Sequence, residues 1–210
     1  VVHQHPKWVR YLATSPNQQL IATVCDDMVC RLFESETGKL VRELRGHALR
    51  TAYNLPSKLY TCTFSPDSQH LATADQTGHI VVWEVGSGKQ LAKLHAANFF
   101  THDTNGHGYG GIRTLAFSPC GRLLAAGGNQ AGDTSTIGGS KSLIQVFDWQ
   151  QNKRTHEFTD GGNFFYERLQ FHHEGRWLVG GGGAGTEQKI AFFDLAGNKL
   201  LHAHASPLLV

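Results

Sequence analysis

Methionine occurs once and cysteine four times in the 210 residues, and the cysteines at 25, 30, 62 and 120 match no metal-ligand spacing such as C-x-x-C. No metal site or cofactor is expected. Cys25 and Cys30 could face each other across a hairpin, although small buried thiols are the commoner state for isolated strand cysteines. No apolar run approaches the roughly 18–20 residues of a spanning helix, so no membrane span is expected. Charge of one sign is also scarce: 19 Lys and Arg stand against 17 Asp and Glu, a formal net charge of +2. That balance argues against a nucleic-acid partner held by a dominant basic field. No stretch keeps apolar residues at i, i+3, i+4 and i+7 for three turns, which removes helices from the expected fold. There is no G-x-S-x-G nucleophile elbow.

What the chain does have is a repeat. FSPDSQHLATADQTGHIVVWE, residues 64–84, opens on Phe64-Ser65-Pro66-Asp67 and closes on Trp83-Glu84. The opening has relatives in Thr14-Ser15-Pro16-Asn17, Phe117-Ser118-Pro119-Cys120 and, degraded, Phe171-His172-His173-Glu174. The closing pair has relatives in Phe33-Glu34, Phe147-Asp148 and Phe193-Asp194. The same spacing separates Phe64 from Trp83 and Thr14 from Phe33. Copies three and four are longer, and their excess falls in one place, after the second apolar run. Four copies recur at a period of about 50 residues and cover nearly the whole chain.

Each copy reads as four strands. In the second they fall near 59–65, 69–74, 79–85 and 89–95, short segments rich in β-branched and aromatic residues and bounded by Gly, Asp, Pro and Ser. In the Ser-Pro-Asp turn Pro66 fixes φ and Asp67 can bond back to its own backbone. A four-stranded antiparallel unit buries one face poorly alone, so successive units must stack, and radial stacking gives a propeller. The strands, the Trp83-Glu84 and Phe147-Asp148 pairs and the Gly46-His47 ending resemble the WD-repeat family over essentially all of the chain. The fold class expected is all-β, a β-propeller of four-stranded antiparallel blades at roughly 8–47, 59–95, 112–159 and 166–204, with a possible fifth starting at 205–210. The resemblance implies a larger ring of about seven blades, whose remaining blades would be partners of these four; a closed four-bladed ring is the alternative. A start on Val and a trailing Ser206-Pro207 suggest a piece of a longer protein. The resemblance also implies a buried polar network, which in copy two would use His47, Thr73, Thr77 and Trp83, so that its aspartate is missing. Copies three and four have Ala97 and Gly161 where the histidine would stand.

Meandering blades put the A–B and C–D turns at one end and the B–C turns and D-to-A connections at the other. The first set is short throughout. All length variation sits in the second, in connections 48–58 and 96–111 and turns 127–142 and 180–188. Connections longer than about 12 residues are uncommon in compact domains unless functional or mobile. Asn98-Phe99-Phe100 and Asn163-Phe164-Phe165 recur at consecutive D-to-A connections. Aromatic residues are what interface centres favour. The expected function is therefore a non-catalytic scaffold for a protein or peptide, with Tyr53, Phe99, Phe100, His107, Tyr109, Phe164, Phe165 and Tyr166 as candidate contacts. A competing role for each Phe pair is that one ring plugs the gap between blades. A regulatory or sensor propeller fused to a separate, possibly enzymatic, domain is the second function expected.

Other constellations are weaker. Thirteen histidines include His3-x-His5, His202-x-His204 and His172-His173, none with a third ligand at a recognisable spacing. Gly180-Gly181-Gly182-Gly183-Ala184-Gly185-Thr186 lacks the Lys and helix of a phosphate loop and reads as a mobile B–C turn. The expected inner strands, 9–13, 59–63, 112–116 and 167–170, supply Arg10, Arg113, Glu167 and Arg168, with one acid and no repeating carboxylate. No catalytic site is expected.

Overall fold

The computed structural model describes residues 3–102, 108–130, 141–162, 164–184 and 187–206, and among these there is no helix. The strands form four antiparallel meanders. The first sheet holds β1 (Val9–Thr14), β2 (Leu20–Cys25), β3 (Val29–Glu34) and β4 (Leu40–Arg45), and the second β5 (Leu59–Phe64), β6 (His70–Asp75), β7 (His79–Glu84) and β8 (Gln90–His95). The third adds a short edge strand β9 (Phe100–His102) to β10 (Gly108–Phe117), β11 (Leu123–Gln130), β12 (Lys141–Asp148) and β13 (Lys153–Phe158). The fourth holds β14 (Phe165–Phe171), β15 (Trp177–Ala184), β16 (Glu187–Asp194) and β17 (Lys199–Ser206). This is a partial β-propeller of four blades, with β1, β5, β10 and β14 innermost.

The Ser-Pro turns show why the strands end where they do. The hydroxyl of Ser65 accepts the His70 amide at 2.9 Å, and Asp67 accepts the Gln69 amide at 3.0 Å. Ser15 and Ser118 take the amides of Leu20 and Leu123 in the same way, each at 2.9 Å. Every copy then needs one left-handed residue, at Gln18, Ser68, Gly121 and Gly175.

Apolar residues lie in three layers, one between each pair of consecutive sheets. Ala22, Val24, Cys30 and Leu32 meet Leu59, Cys62, Leu71 and Trp83 in the first. Ile80, Val82, Leu94 and Phe99 meet Ile112, Leu124, Leu143 and Trp149 in the second. Ile144, Val146 and Phe158 meet Phe164, Tyr166, Leu178 and Phe193 in the third. The middle sheets are covered on both faces, so β7 and β12 are buried almost without a break. The outward faces of the end sheets are less covered. Leu12 is 60% exposed, and a groove of about 630 Å³ runs beside Leu169, Phe171, Val179 and Ile190. Residues ahead of β1 cover part of the first sheet, with the His3 ring centroid 4.7 Å from that of Phe33.

Two expectations need correction, and the open alternative of a Cys25–Cys30 bridge is closed. Connection 96–111 is not simply a loop: Phe100–His102 pairs with 108–110 as a hairpin on the third sheet. Cys25 and Cys30 do not bridge, because Cys30 pairs with Val24 and the Cys25 thiol donates to the Lys7 carbonyl at 3.2 Å; all four cysteines are free. The glycine run is not a turn either. Gly180–Gly183 are paired strand residues opposite Ala191, Ile190, Lys189 and Gln188. Glycine is required there by close approach: a Cβ on Gly182 would stand 1.7 Å from the Phe165 carbonyl oxygen, and one on Gly180 2.7 Å from the Tyr166 ring. Gly181 has open space in that direction.

Gly182→Ala is expected to lower stability by about 1–3 kcal/mol or more through overpacking against backbone, while Gly181→Ala stays within about 1 kcal/mol of the parent. Denaturant unfolding of both variants checks the contrast, and equal effects would remove the packing explanation.

Candidate functional site

The inner strands are held in place by polar joints between each linker and the sheets beside it. In the first, His47 sits between Thr73 and Asp75. Its Nδ1 lies 2.9 Å from Asp75 and its Nε2 2.8 Å from the Thr73 hydroxyl, which also accepts the Trp83 indole N–H at 2.9 Å. The consistent order of donation runs from Trp83 to Thr73 to His47 and on to Asp75. The aspartate expected to be absent is thus present two residues earlier, at the end of β6, where it also accepts the amides of Thr77 and His79. Burial would raise the Asp75 carboxyl, but hydrogen bonds from His47, His79 and Thr77 overcome it and hold the group well below the ordinary carboxylate range.

The other joints use different chemistry. The Gln145 amide donates to the Ala97 carbonyl at 3.0 Å and to Glu157 at 2.8 Å. Beside Gly161, the fully buried Asp160 side chain takes Lys189 at 2.7 Å, the Gly162 amide at 3.1 Å, the Tyr166 hydroxyl at 3.3 Å and the Ser142 hydroxyl. Burial opposes the Asp160 charge, yet Lys189, Ser142 and the Gly162 amide bring its pKa below the usual value. Burial first, then the Asp160 charge, push the Tyr166 phenol up, so it stays protonated as a donor.

Above these joints every inner strand carries a β-bulge. The register shifts between Val9 and Tyr11, Leu59 and Thr61, Ile112 and Thr114, and Tyr166 and Arg168. The extra residues are Arg10, Tyr60, Arg113 and Glu167, all at the end where the D-to-A connections enter. A bulge leaves its residue outside the ladder and re-aims the side chain. Here it builds an arc of alternating cations and rings. The Arg10 guanidinium lies 5.4 Å from the Trp8 ring and 5.8 Å from that of Tyr60; the Arg113 guanidinium lies 4.7 Å from Tyr60 and 5.4 Å from Phe165. Arg168 of β14 sits 4.9 Å from the Tyr11 ring of β1, so the first and fourth inner strands come within side-chain reach of each other. Each such contact contributes about 0.5–2 kcal/mol, more as water is excluded. Arg10 is neutralised by Asp26 through two bonds of 2.7 and 2.6 Å.

The candidate contacts divide sharply. Phe99, Phe164 and Tyr166 are fully buried core residues, so in each Asn-Phe-Phe segment the first ring fills the gap between sheets. Phe100 and Phe165 are half-buried, and Tyr53 is 57% exposed. His107 lies outside the described residues. Tyr109 pairs with Thr101 through its backbone, and its side chain lies outside what is described. Sequence reasoning missed Trp8, Leu49, Leu55 and Tyr60. The first three are exposed large apolar residues on the stretches that precede β1 and β5. A signal for Tyr60 exists in Leu59-Tyr60-Thr61, where the added residue breaks alternation before Cys62 and Phe64 resume it. Among the described residues no group of three His, Cys, Asp or Glu could hold a metal ion.

Four stacked antiparallel sheets, closing aromatics and a His–Thr–Asp–Trp joint define a WD-repeat propeller. The "WD domain, G-beta repeat" family matches residues 1–34, 38–84 and 99–135, more than half the chain, and the chain belongs to this family. It is similar to protein hir-1 of Neurospora crassa, 31% identical over 116 residues that cover 50% of this chain and 9% of that protein. Telomerase protein component 1 of Rattus norvegicus is 27% identical over 188 residues, 85% of this chain and 6% of that protein. The WD repeat-containing protein SL1-17 of Schistosoma mansoni is 26% identical over 182 residues, 87% of this chain and 49% of that protein. The chain therefore spans under a tenth of the first two relatives and about half of the third. Proteins of this family are typically non-catalytic scaffolds that bind protein partners.

Asp75→Asn is expected to destabilise the protein by about 1–3 kcal/mol at neutral pH, the cost of weakening charge-assisted bonds in a buried site. Because the folded carboxyl is depressed, its contribution is present above the usual pKa of about 3.9 and is lost as pH falls below it. Thermal unfolding from pH 7 to 3 should show the gap between variant and parent narrowing on the acid side; a constant gap would contradict the assignment.

Proposed function

We propose that the chain is a non-catalytic binding platform whose loop-bearing face holds a protein or peptide partner. One observation carries this: the exposed Trp8, Leu49, Tyr53 and Leu55 all stand on the approaches to inner strands, at the end that also bears the long connections. Apolar side chains gathered on one face and rimmed by polar turns mark an interaction surface. The opposite end presents Pro16, Asn17, Glu36, Asp67, Ser87 and Lys89 on short turns, and its exposed apolar side chains, Leu40, Val41, Leu91 and Leu200, are aliphatic and stand on the outermost strands. Of the aromatic candidates, Tyr53, Phe100 and Phe165 are accessible at least in part and belong to the proposed surface, joined by Trp8. Affinity would come from these anchors, with the near-neutral overall charge arguing against purely electrostatic capture. The uncovered faces of the first and fourth sheets are proposed to receive the remaining blades of a larger ring, supported by exposed Leu12 on one and Ile190 on the other.

A second function, a regulatory propeller joined to a separate domain outside this chain, draws support from the small share of hir-1 and of telomerase protein component 1 that the chain spans.

Affinity capture with the natural full-length protein tests the face. A Trp8→Ser, Leu49→Ser, Tyr53→Ser variant is expected to lose its protein partners at least about tenfold, the loss of aromatic anchors from an interface centre. A Glu36→Ala, Lys89→Ala variant should keep them. Near-ultraviolet circular dichroism verifies that both are folded. The reverse outcome would move binding to the short-turn face.

A further inference from the structure

Resting on that assignment of the loop-bearing face, we propose that Arg113 is the receptor for a carboxylate, so that the partner presents an acidic side chain. The guanidinium is built like a receptor. It lies over rings from two different sheets, 4.7 Å from that of Tyr60 and 5.4 Å from that of Phe165. Its Nε is buried and has no hydrogen-bond partner among the described residues. Among the described residues five arginines are satisfied by acids, Arg10 by Asp26, Arg31 by Asp27 and Glu43, Arg45 by Glu43, Arg122 by Asp148 and Arg154 by Glu157, whereas Arg42, whose Nε is likewise buried and unpaired, donates to the Gly86 carbonyl. Arg113 has no carboxylate partner among the described residues, and neither has Arg168, whose Nη1 donates to the backbone carbonyl of Glu167 at 3.0 Å. Among the described residues the Arg113 charge on β10 is therefore unpaired, while that of β1 is cancelled by Asp26 and that of Arg168 is offset by Glu167 beside it on β14.

The backbone supports the same assignment. Arg113 occupies the bulge of β10, so its side chain is excluded from the ladder and from the apolar layers on either side. Gly110 and Gly111, with φ of 89° and 125°, lead into it, and a side chain at Gly111 would press on Tyr60 at 3.1 Å. A planar, fully charged fork beside two rings matches a carboxylate in two parallel N–H···O bonds. One paired fork on a chain of net charge +2 suits a singly charged carboxylate better than a phosphoryl dianion, which calls for several cations around it.

The test uses the natural full-length protein and four pools of nonapeptides. The central residue is Glu, Gln, phosphoserine or Lys, and the flanks are equimolar Ala, Leu, Ser and Tyr. The Glu pool is expected to be retained about tenfold over the Gln pool, the difference a charge-assisted bidentate pair makes. Arg113→Gln should erase that preference, and Arg113→Lys, which keeps the charge without the fork, should retain only part of it. Arg122→Gln, at the short-turn end, should leave it intact. Equal retention of Glu and Gln pools, a stronger preference for phosphoserine, or a Glu preference that survives Arg113→Gln would each overturn the proposal. If capture of protein partners still depends on Trp8, Leu49 and Tyr53 while the Glu preference is absent, the carboxylate receptor falls and the binding face stands. With a Glu preference and capture indifferent to those three residues, the receptor stands and the wider binding face falls.

Discussion

Everything in this molecule depends on sheets covering one another. A four-stranded meander of six-residue strands has two faces and too little apolar area to fold on one of them. The sequence answers by making both faces of the middle sheets apolar: Leu71 and Val81 look toward the first sheet, Ile80 and Val82 toward the third. A strand such as Ile80-Val81-Val82-Trp83 is unbroken apolar for that reason, and alternation returns only where one side meets water, as in β4 and β8. At about 25 cal/mol per Å² of apolar surface, layers of this kind supply most of the stabilisation available to an all-β chain without disulfides.

Polar joints are secondary to that stacking, and their variety shows it. One uses a histidine relay, one a glutamine amide on a carbonyl, one a buried aspartate with a lysine and a tyrosine. Each ties a linker carbonyl, imidazole or carboxylate to strands beside it, and of the three the glutamine joint leaves its Oε1 without a partner among the described residues. The shared requirement is satisfaction of polar atoms in a dry gap, which several residue sets can meet.

How much was legible follows from which signals are local. The strands of the second copy fall within a residue or so of their expected places, because propensity, turn residues and spacing agree there. Asp75 was overlooked because the family pattern placed the acid in the turn, whereas here it closes the strand. The glycine run misled because composition speaks for flexibility, and only the closeness of Phe165 and Tyr166 reveals that it is compression. Phe99 and Phe100 are indistinguishable by type, and the hairpin that buries one and half-exposes the other is a tertiary fact. The inner arginines were visible as residues, but the bulges that bring them beside Tyr60 and Phe165 were not.

Those bulges have a consequence for how the chain can vary. An added residue resets the phase of a strand, so what lies above it is out of step with what lies below. Thr61–Phe64 and Thr114–Phe117 keep their inward and outward order whatever stands at Tyr60 or Arg113. The rim and the stacked layers are therefore mechanically separate registers of one strand. Arginine, tyrosine, arginine and glutamate occupy the same geometric position in four successive blades with no change in the ladder beneath them. Such a position can take on new chemistry while the packing below it carries on unaltered.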